Sequence, residues 1–184
     1  MSHPSFRERL ALDEPHGEYR DGDIRYLVMR PDVLMGAFAA LPPGPRQQAL
    51  QALADSAARF GGRSVQAYRD AGAGEAQDLL RVMTETSAQL GWGRWSFSTD
   101  HAAHRLVLEV HNSPFVEGYR AGGPSDGPVC HAVRGIFSAL APAVQGLAHT
   151  VTESHCAAQH GGSRCQFHMG LGGDPAQPPS SHTS

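Results

Sequence analysis

The chain has 184 residues, the length of one domain, and 40% of them are hydrophobic, which is enough to form a core. A mean hydropathy of −0.34 and the lack of a long apolar run argue against a membrane span, and the polar N-terminus argues against a signal peptide. A net charge of −3 gives no excess of positive charge for binding nucleic acid. We therefore expect a soluble, cytoplasmic protein without a nucleic-acid partner.

All 15 Lys+Arg residues of the chain are arginines. The absence of lysine excludes a P-loop, a Schiff-base lysine and an anchor for pyridoxal phosphate. The sequence also has no G-x-G-x-x-G motif after a predicted strand and no convincing Ser-His-Asp arrangement. These absences favour a non-enzymatic function.

The first half of the chain reads as an arm, a hairpin and helices. Residues 1–17 are polar and are predicted to form a flexible arm. Residues 18–30 read as a hairpin around an Asp-Gly turn, followed by a helix over 31–41 that begins at a proline. A long helical stretch after Pro45 is predicted to break or kink at Gly61 and Gly62, and another helix is predicted from 74 to 90.

The hydrophobic pattern then changes from a helical period to the two-residue period of strands. Two antiparallel strands are predicted, with Leu106, Leu108 and Val110 on one face of the second. The later elements are a helix, two closing strands and a disordered tail. The predicted ranges are 92–100 and 105–113 for the strand pair, 129–147 for the helix, 149–154 and 166–171 for the closing strands, and 173–184 for the tail. The fold class is α+β, an antiparallel sheet packed against helices.

Three cysteines lie in the last third of the chain, at Cys130, Cys156 and Cys165. Three thiols and one further ligand would complete a tetrahedral zinc site. The candidates for that fourth ligand are Glu153, His131, His155 and His160. Alternatively, the cysteines are small hydrophobic residues of the core. A redox pair is less favoured because the chain has no Cys-x-x-Cys motif.

The aromatic residues and histidines could line a ligand site. Trp95 and Phe97 share one face of the 92–100 strand, and Trp92 is predicted on the other. One tryptophan at least is expected in the core, while the others could form the wall of an apolar pocket. Most of the 11 histidines are expected to be solvated.

The segment PVCHAVRGIFSALAPAVQGLAHTVTESHCAAQHGGSRCQFHM resembles the C-terminal core of the 4-vinyl reductase domain family. Its pattern is a cysteine that opens a helix, a strand ending Glu-x-x-Cys, a glycine-containing loop and a Cys-x-Phe strand. NSPFVEGY and RYLVMRPDVLMG upstream also resemble that family, so the similarity spans most of residues 18–171.

The resemblance implies one ligand-binding domain over 18–172, with a zinc-stabilised module at about 128–171. It implies that the domain is related to the vesicle-tethering and nitric-oxide-sensor ligand-binding fold. The zinc ligands of the family fall on Cys130, Glu153, Cys156 and Cys165. Such a closed site would be structural, since it leaves no position for water. The last loop is one residue longer here than in phenol-sensing members.

The family's effector pocket lies between the helices and the strand pair. The tryptophan and histidine that hold the hydroxyl in phenol-sensing members are replaced here, so phenol specificity is not implied. The predicted ligand-binding residues are Trp92, Trp95, His111, Phe115 and Tyr119.

The resulting hypothesis is a zinc-stabilised sensor or carrier for a small hydrophobic or aromatic molecule. It would act on a protein effector in trans, and the resemblance to bacterial relatives implies a homodimer through helices, for which the Ala-rich stretch 47–60 is suited. An alternative is a bacteriochlorophyll-pathway protein that assists or performs vinyl reduction of a tetrapyrrole. A third is a scaffold whose pocket is filled by an acyl chain.

Overall fold

The computed structural model describes residues 4–70, 72–120, 122–145 and 150–170. The helices in these ranges are α1 (Phe6–Arg9), α2 (Pro31–Ala39), α3 (Pro43–Asp70), α4 (Ala76–Gln89), α5 (Pro114–Arg120), α6 (His131–Gln145) and α7 (Ala157–His160). The strands are β1 (Ala11–Asp13), β2 (Glu18–Asp21), β3 (Ile24–Tyr26), β4 (Arg94–Asp100), β5 (Arg105–His111), β6 (Val151–His155) and β7 (Arg164–Gly170). No helix among the described residues is both long enough and apolar enough to cross a membrane.

The α+β class predicted from the sequence is confirmed. The strands β4, β5, β7 and β6 form, in that order, an antiparallel sheet, and β1, β2 and β3 form a second one. The inner face of β5 carries Leu106, Leu108 and Val110, all buried as the two-residue period predicts. Buried residues of α4, α5 and α6 belong to the same core, so the helices cover one face of this sheet.

The N-terminal segment differs from the flexible arm predicted over 1–17. Its described part forms α1 and β1, and β1 pairs with β2. Phe6 is 3% exposed and packs edge-on against Tyr26, with the ring centroids 5.1 Å apart. Arg9 donates two hydrogen bonds to the Asp21 carboxylate, the shorter at 2.9 Å. This ordered structure was not predicted, because one buried aromatic residue in a polar stretch produces no periodic pattern of hydrophobic residues.

The helix break predicted at Gly61 and Gly62 is wrong, because α3 runs without interruption. Gly61 lies where α3 crosses α6, and a Cβ there would be 2.4 Å from Ile136 Cδ1. Gly135 of α6 also lies at this crossing, where the lack of a side chain lets the two helices approach closely. A Cβ there would be 2.2 Å from the carbonyl oxygen of Ala54. The Ala-rich face that the sequence suggested for a contact between two copies is therefore used for packing inside one chain.

The boundaries of the C-terminal elements agree with prediction to within a few residues. The helices α5 and α7 were not predicted, because each is shorter than two full helical periods. The predictions for residues 146–149, for Leu171 and for the 173–184 tail lie outside the described residues, as do residues 1–3.

Candidate metal centre and adjoining cavity

Four side chains from separate elements of the C-terminal half meet at one buried point. Cys130 precedes α6, Glu153 is in β6, Cys156 precedes α7, and Cys165 is in β7 next to the core of the sheet. One ligand atom of each lies within 4.8 Å of all the others. This donor set, which could hold a metal ion, consists of the four residues that the sequence motif implied. The three histidines considered as a fourth ligand are not part of it.

The spacing of the sulfur atoms suits a tetrahedral centre. The Sγ atoms of Cys130 and Cys165 are 3.6 Å apart, and all three thiols are free. Metal–sulfur bonds of about 2.3 Å in a tetrahedron place two sulfurs about 3.8 Å apart. The cysteines are therefore arranged as ligands around a common point rather than as a disulfide.

Glu153 supplies independent support for a cation at this point. Both carboxylate oxygens are buried and have no hydrogen-bond partner among the described residues. Burial raises the pKa of Glu153 to about 9 in the metal-free protein. A buried carboxylate without a partner is strongly unfavourable, and coordination to a cation removes that cost. The chemistry of the donor set therefore fits a metal ion.

The thiols share protons among themselves when no cation is present. Hydrogen bonding to Cys156, together with burial, raises the pKa of Cys130. The same contact lowers the pKa of Cys156. A cation that favours sulfur ligands would remove this competition, because each thiol could then be ionised.

Neighbouring groups contact two of the sulfurs. The backbone N–H of Ala157 donates to Cys165 Sγ at 3.3 Å, and the Ser113 hydroxyl lies 3.3 Å from Cys130 Sγ. Arg120 of α5 fixes the surrounding loop through the carbonyl oxygens of Ala157 and Gly162. Ser113 was not among the predicted site residues, and its place at the end of the strand predicted over 105–113 was the one available signal.

A cavity of about 1070 Å³ adjoins the metal centre. Its walls are the first half of α3, the loop before α6, the start of α6 and the start of β6. Glu153 belongs to the β6 wall. Leu50, Tyr119 and Val151 give the cavity an apolar part, and glutamines and arginines give it a polar part.

His131 places an unused hydrogen-bonding atom at this cavity. The residue lines the cavity, and its Nδ1 atom is buried without a partner among the described residues. Burial, and next the charge of Arg134, lowers the pKa of His131 to about 4. The imidazole is therefore neutral near pH 7, with one nitrogen that donates and one that accepts a hydrogen bond.

Arg46 holds Tyr119 in position at the wall of the cavity. Its guanidinium donates to Tyr119 Oη at 2.9 Å and to the carbonyl oxygen of Leu41 at 2.7 Å. This arginine therefore ties the start of α3 to α5 and fixes the ring that forms part of the apolar wall.

The five predicted ligand-binding residues do not form one group. Tyr119 lines the cavity. Trp95 is 1% exposed and donates from Nε1 to the carbonyl oxygen of Trp92, whose ring contacts Phe115 with the centroids 5.2 Å apart. The sequence predicted Trp92 within the 92–100 strand, but the residue lies before β4. His111 pairs with a residue adjacent to Trp95 and so lies on the opposite face of the sheet.

Comparison with solved structures identifies relatives in fold. The phenol-responsive sensory domain of the transcription activator PoxR, bound to phenol, aligns over 88% of this chain and 85% of its own, with a TM-score of 0.73 and 16% identity. A trafficking protein particle complex subunit 3 from Naegleria fowleri, covalently bound to palmitic acid, aligns over 80% of this chain and 98% of its own, with a TM-score of 0.52 and 8% identity.

A vinyl-4-reductase family protein from Methanocaldococcus jannaschii also matches, over 78% of this chain and 96% of its own, with a TM-score of 0.45 and 12% identity. No protein-family model matches the sequence, and no curated protein does. The chain therefore shares the fold of the phenol-responsive domain and of the trafficking subunit, as the sequence resemblance predicted.

Proposed function

We propose that this chain is a zinc-stabilised sensor or carrier module for a small aromatic molecule that carries a hydroxyl group. The observation that carries the proposal is the buried, unpartnered Nδ1 of His131 at the edge of a large cavity next to the metal centre. The fold shared with a phenol-responsive domain supports it. The sequence has no G-x-G-x-x-G motif after a predicted strand and no convincing Ser-His-Asp arrangement, so we propose ligand binding rather than catalysis.

The metal in this proposal is zinc, in a structural role. Three thiolates and one carboxylate are a ligand set that zinc accepts, and they fill its four tetrahedral positions. When bound, zinc supplies positive charge and a rigid cross-link between elements. The ligands come from the residue before α6, from β6, from the start of α7 and from β7, so the metal ties one side of the cavity to the sheet.

Zinc binding is expected to release protons. Cys130, Cys165 and Glu153 all have raised pKa values in the metal-free protein, so all three hold protons near pH 7. Zinc binds the deprotonated donors, so we expect the release of about three protons per ion. The apparent affinity therefore rises with pH, roughly a thousandfold per unit between pH 6 and pH 8. Calorimetry in buffers of different ionisation enthalpy measures the number of protons released per zinc ion.

Glu153→Gln provides the matched control for this proton count. The amide has the shape of the carboxylic acid but no proton to lose. Binding to this variant should release about one proton fewer. An unchanged count would mean that Glu153 is not a ligand.

The proposed ligand lies in the cavity with its ring against the apolar part of the wall. Leu50, Tyr119 and Val151 supply that surface. The hydroxyl would hydrogen-bond with Nδ1 of His131. We assign a supporting role to Trp92, Trp95 and Phe115, whose contacts fix α5 and thereby Tyr119.

His131→Ala is expected to weaken phenol binding by up to about tenfold, the effect of losing one hydrogen bond. Its zinc content should stay at one ion per chain, because His131 is not a ligand. Calorimetric titration with phenol and metal analysis provide the two measurements. His111→Ala is the control, and since His111 lies on the other face of the sheet, it should bind phenol like the unmodified protein. Equal affinity in both variants would contradict the proposed site.

Native mass spectrometry of the freshly purified protein tests the function as a whole. One zinc and one small organic mass per chain would support the proposal. A mass of tetrapyrrole size would favour the pathway protein instead, and an acyl-chain mass would favour the scaffold. The same spectrum tests the homodimer that we propose by resemblance. A protein that carries no organic mass and takes up no phenol would contradict the proposal.

A further inference from the structure

A second cavity, of about 560 Å³, lies beside α4 and shares no lining residue with the first. Its walls are α1, the hairpin formed by β2 and β3, the end of α3 and one side of α4. The N-terminal segment, for which the sequence predicts a flexible arm, therefore builds a complete side of this cavity.

The N-terminal wall is held in place by specific contacts. The backbone N–H of Arg7 donates to Gln89 Oε1 of α4 at 2.8 Å. Arg9 is bound to Asp21 by a two-point ion pair that is partly buried. The cavity is therefore part of the folded state and not a gap beneath a loose segment.

Three aromatic residues line the cavity from three different elements: Phe6 of α1, Tyr26 of β3 and Tyr68 of α3. The Arg9 guanidinium lies 6.0 Å from the centroid of the Phe6 ring, so that ring already has a cation against it. Burial raises the pKa of Tyr26 to about 12, so its hydroxyl stays neutral. The faces of such rings carry partial negative charge and attract cations within about 6 Å.

The charged groups of the lining add to this preference. The cavity is lined by three carboxylates and two guanidinium groups, an excess of one negative charge. The guanidinium of Arg9 is neutralised by Asp21. On α4, Arg81 forms ion pairs with both Asp78 and Glu85, at N–O distances of 3.3 and 3.4 Å. One carboxylate charge on this wall is therefore left for a ligand.

We propose that this cavity is a second binding site, for a compact organic cation in which a protonated amine is joined to an apolar or aromatic body. The amine faces the α4 carboxylates and the tyrosine hydroxyls, and the body lies against the aromatic rings. The site is independent of the proposed function, because it uses neither the metal centre nor the larger cavity.

Titration of the full-length protein with benzylammonium tests this site, with neutral benzyl alcohol of similar shape as the comparison ligand. Amide chemical shifts and calorimetry report position and affinity. We expect saturable binding of benzylammonium, with shift changes in α1 and α4, and an affinity roughly tenfold higher than for benzyl alcohol. Glu85→Gln and Tyr68→Leu should each weaken the cation several-fold, and Tyr68→Phe, which keeps the ring, should not.

Asp55→Asn is the matched control, because Asp55 lines the larger cavity and its loss should leave benzylammonium binding unchanged. Glu85 has an exposed side chain, so Glu85→Gln is informative even if Tyr68→Leu fails to fold. Equal affinity for the cation and the alcohol would overturn the proposal. So would shift changes confined to the larger cavity, or binding that neither Glu85→Gln nor Tyr68→Leu weakens.

Discussion

Cys156→Ser is expected to abolish stoichiometric zinc binding and to lower the free energy of unfolding by roughly 3–5 kcal/mol. Cys156 is one of the four donors of the candidate metal centre and lies between β6 and α7. Its loss leaves three donors, so the proposed metal cross-link between β6, β7 and the residue before α6 is lost. Metal analysis and urea unfolding of the two proteins provide the measurement.

A chelator separates the contribution of the metal from that of packing. The unmodified protein should lose stability when zinc is removed and approach the variant, whereas Cys156→Ser should be insensitive to the chelator. A variant that keeps one zinc per chain and unfolds at the same urea concentration would show that the ligand assignment is wrong.

Gly135→Ala is expected to destabilise the protein by about 2–3 kcal/mol although alanine favours helices. The added Cβ would be 2.2 Å from the carbonyl oxygen of Ala54 and 2.9 Å from Ala57 Cβ. Because the oxygen belongs to the backbone of α3, no side-chain rotation can relieve the contact, and the two helices must separate. Urea unfolding at equilibrium measures the effect.

Gly62→Ala is the matched control within the partner helix α3. A Cβ at Gly62 would meet no heavy atom within 4 Å. This substitution should therefore stabilise the protein by up to about 1 kcal/mol through helix propensity alone. If both glycine variants changed stability in the same direction, close packing of α3 against α6 would not be the reason for Gly135.

The residues of the candidate metal centre were predictable from the resemblance in sequence. Cys130, Glu153, Cys156 and Cys165 occupy a recognisable motif, and thiols near a carboxylate have a known preference for metal ions. Spacing alone had left three histidines open as the fourth ligand, and the motif removed that choice. The folded structure then brought the four side chains together around one point.

The ligand-binding residues were harder to predict, because a cavity is formed by parts of the chain that are distant in sequence. Tyr119 was among the predicted residues, but His131 had been considered as a metal ligand and not as a hydrogen-bonding group at a cavity. His111 is a separate case: its residue type suits a ligand site, and the pleat of β5 places it on the face of the sheet opposite to Trp95.

The sequence by itself determined the α+β class, the inner face of β5 and the four residues of the candidate metal centre. Hydrophobic periods are properties of neighbouring residues, and the motif shared with the resembling family lies within one continuous segment, so both can be read along the chain. Only the tertiary structure decided that Gly61 and Gly135 mark a helix crossing, that Phe6 anchors the N-terminal segment, and that His131 faces a cavity. Each of these depends on a contact with residues far along the chain, and such a contact leaves no local pattern in the sequence.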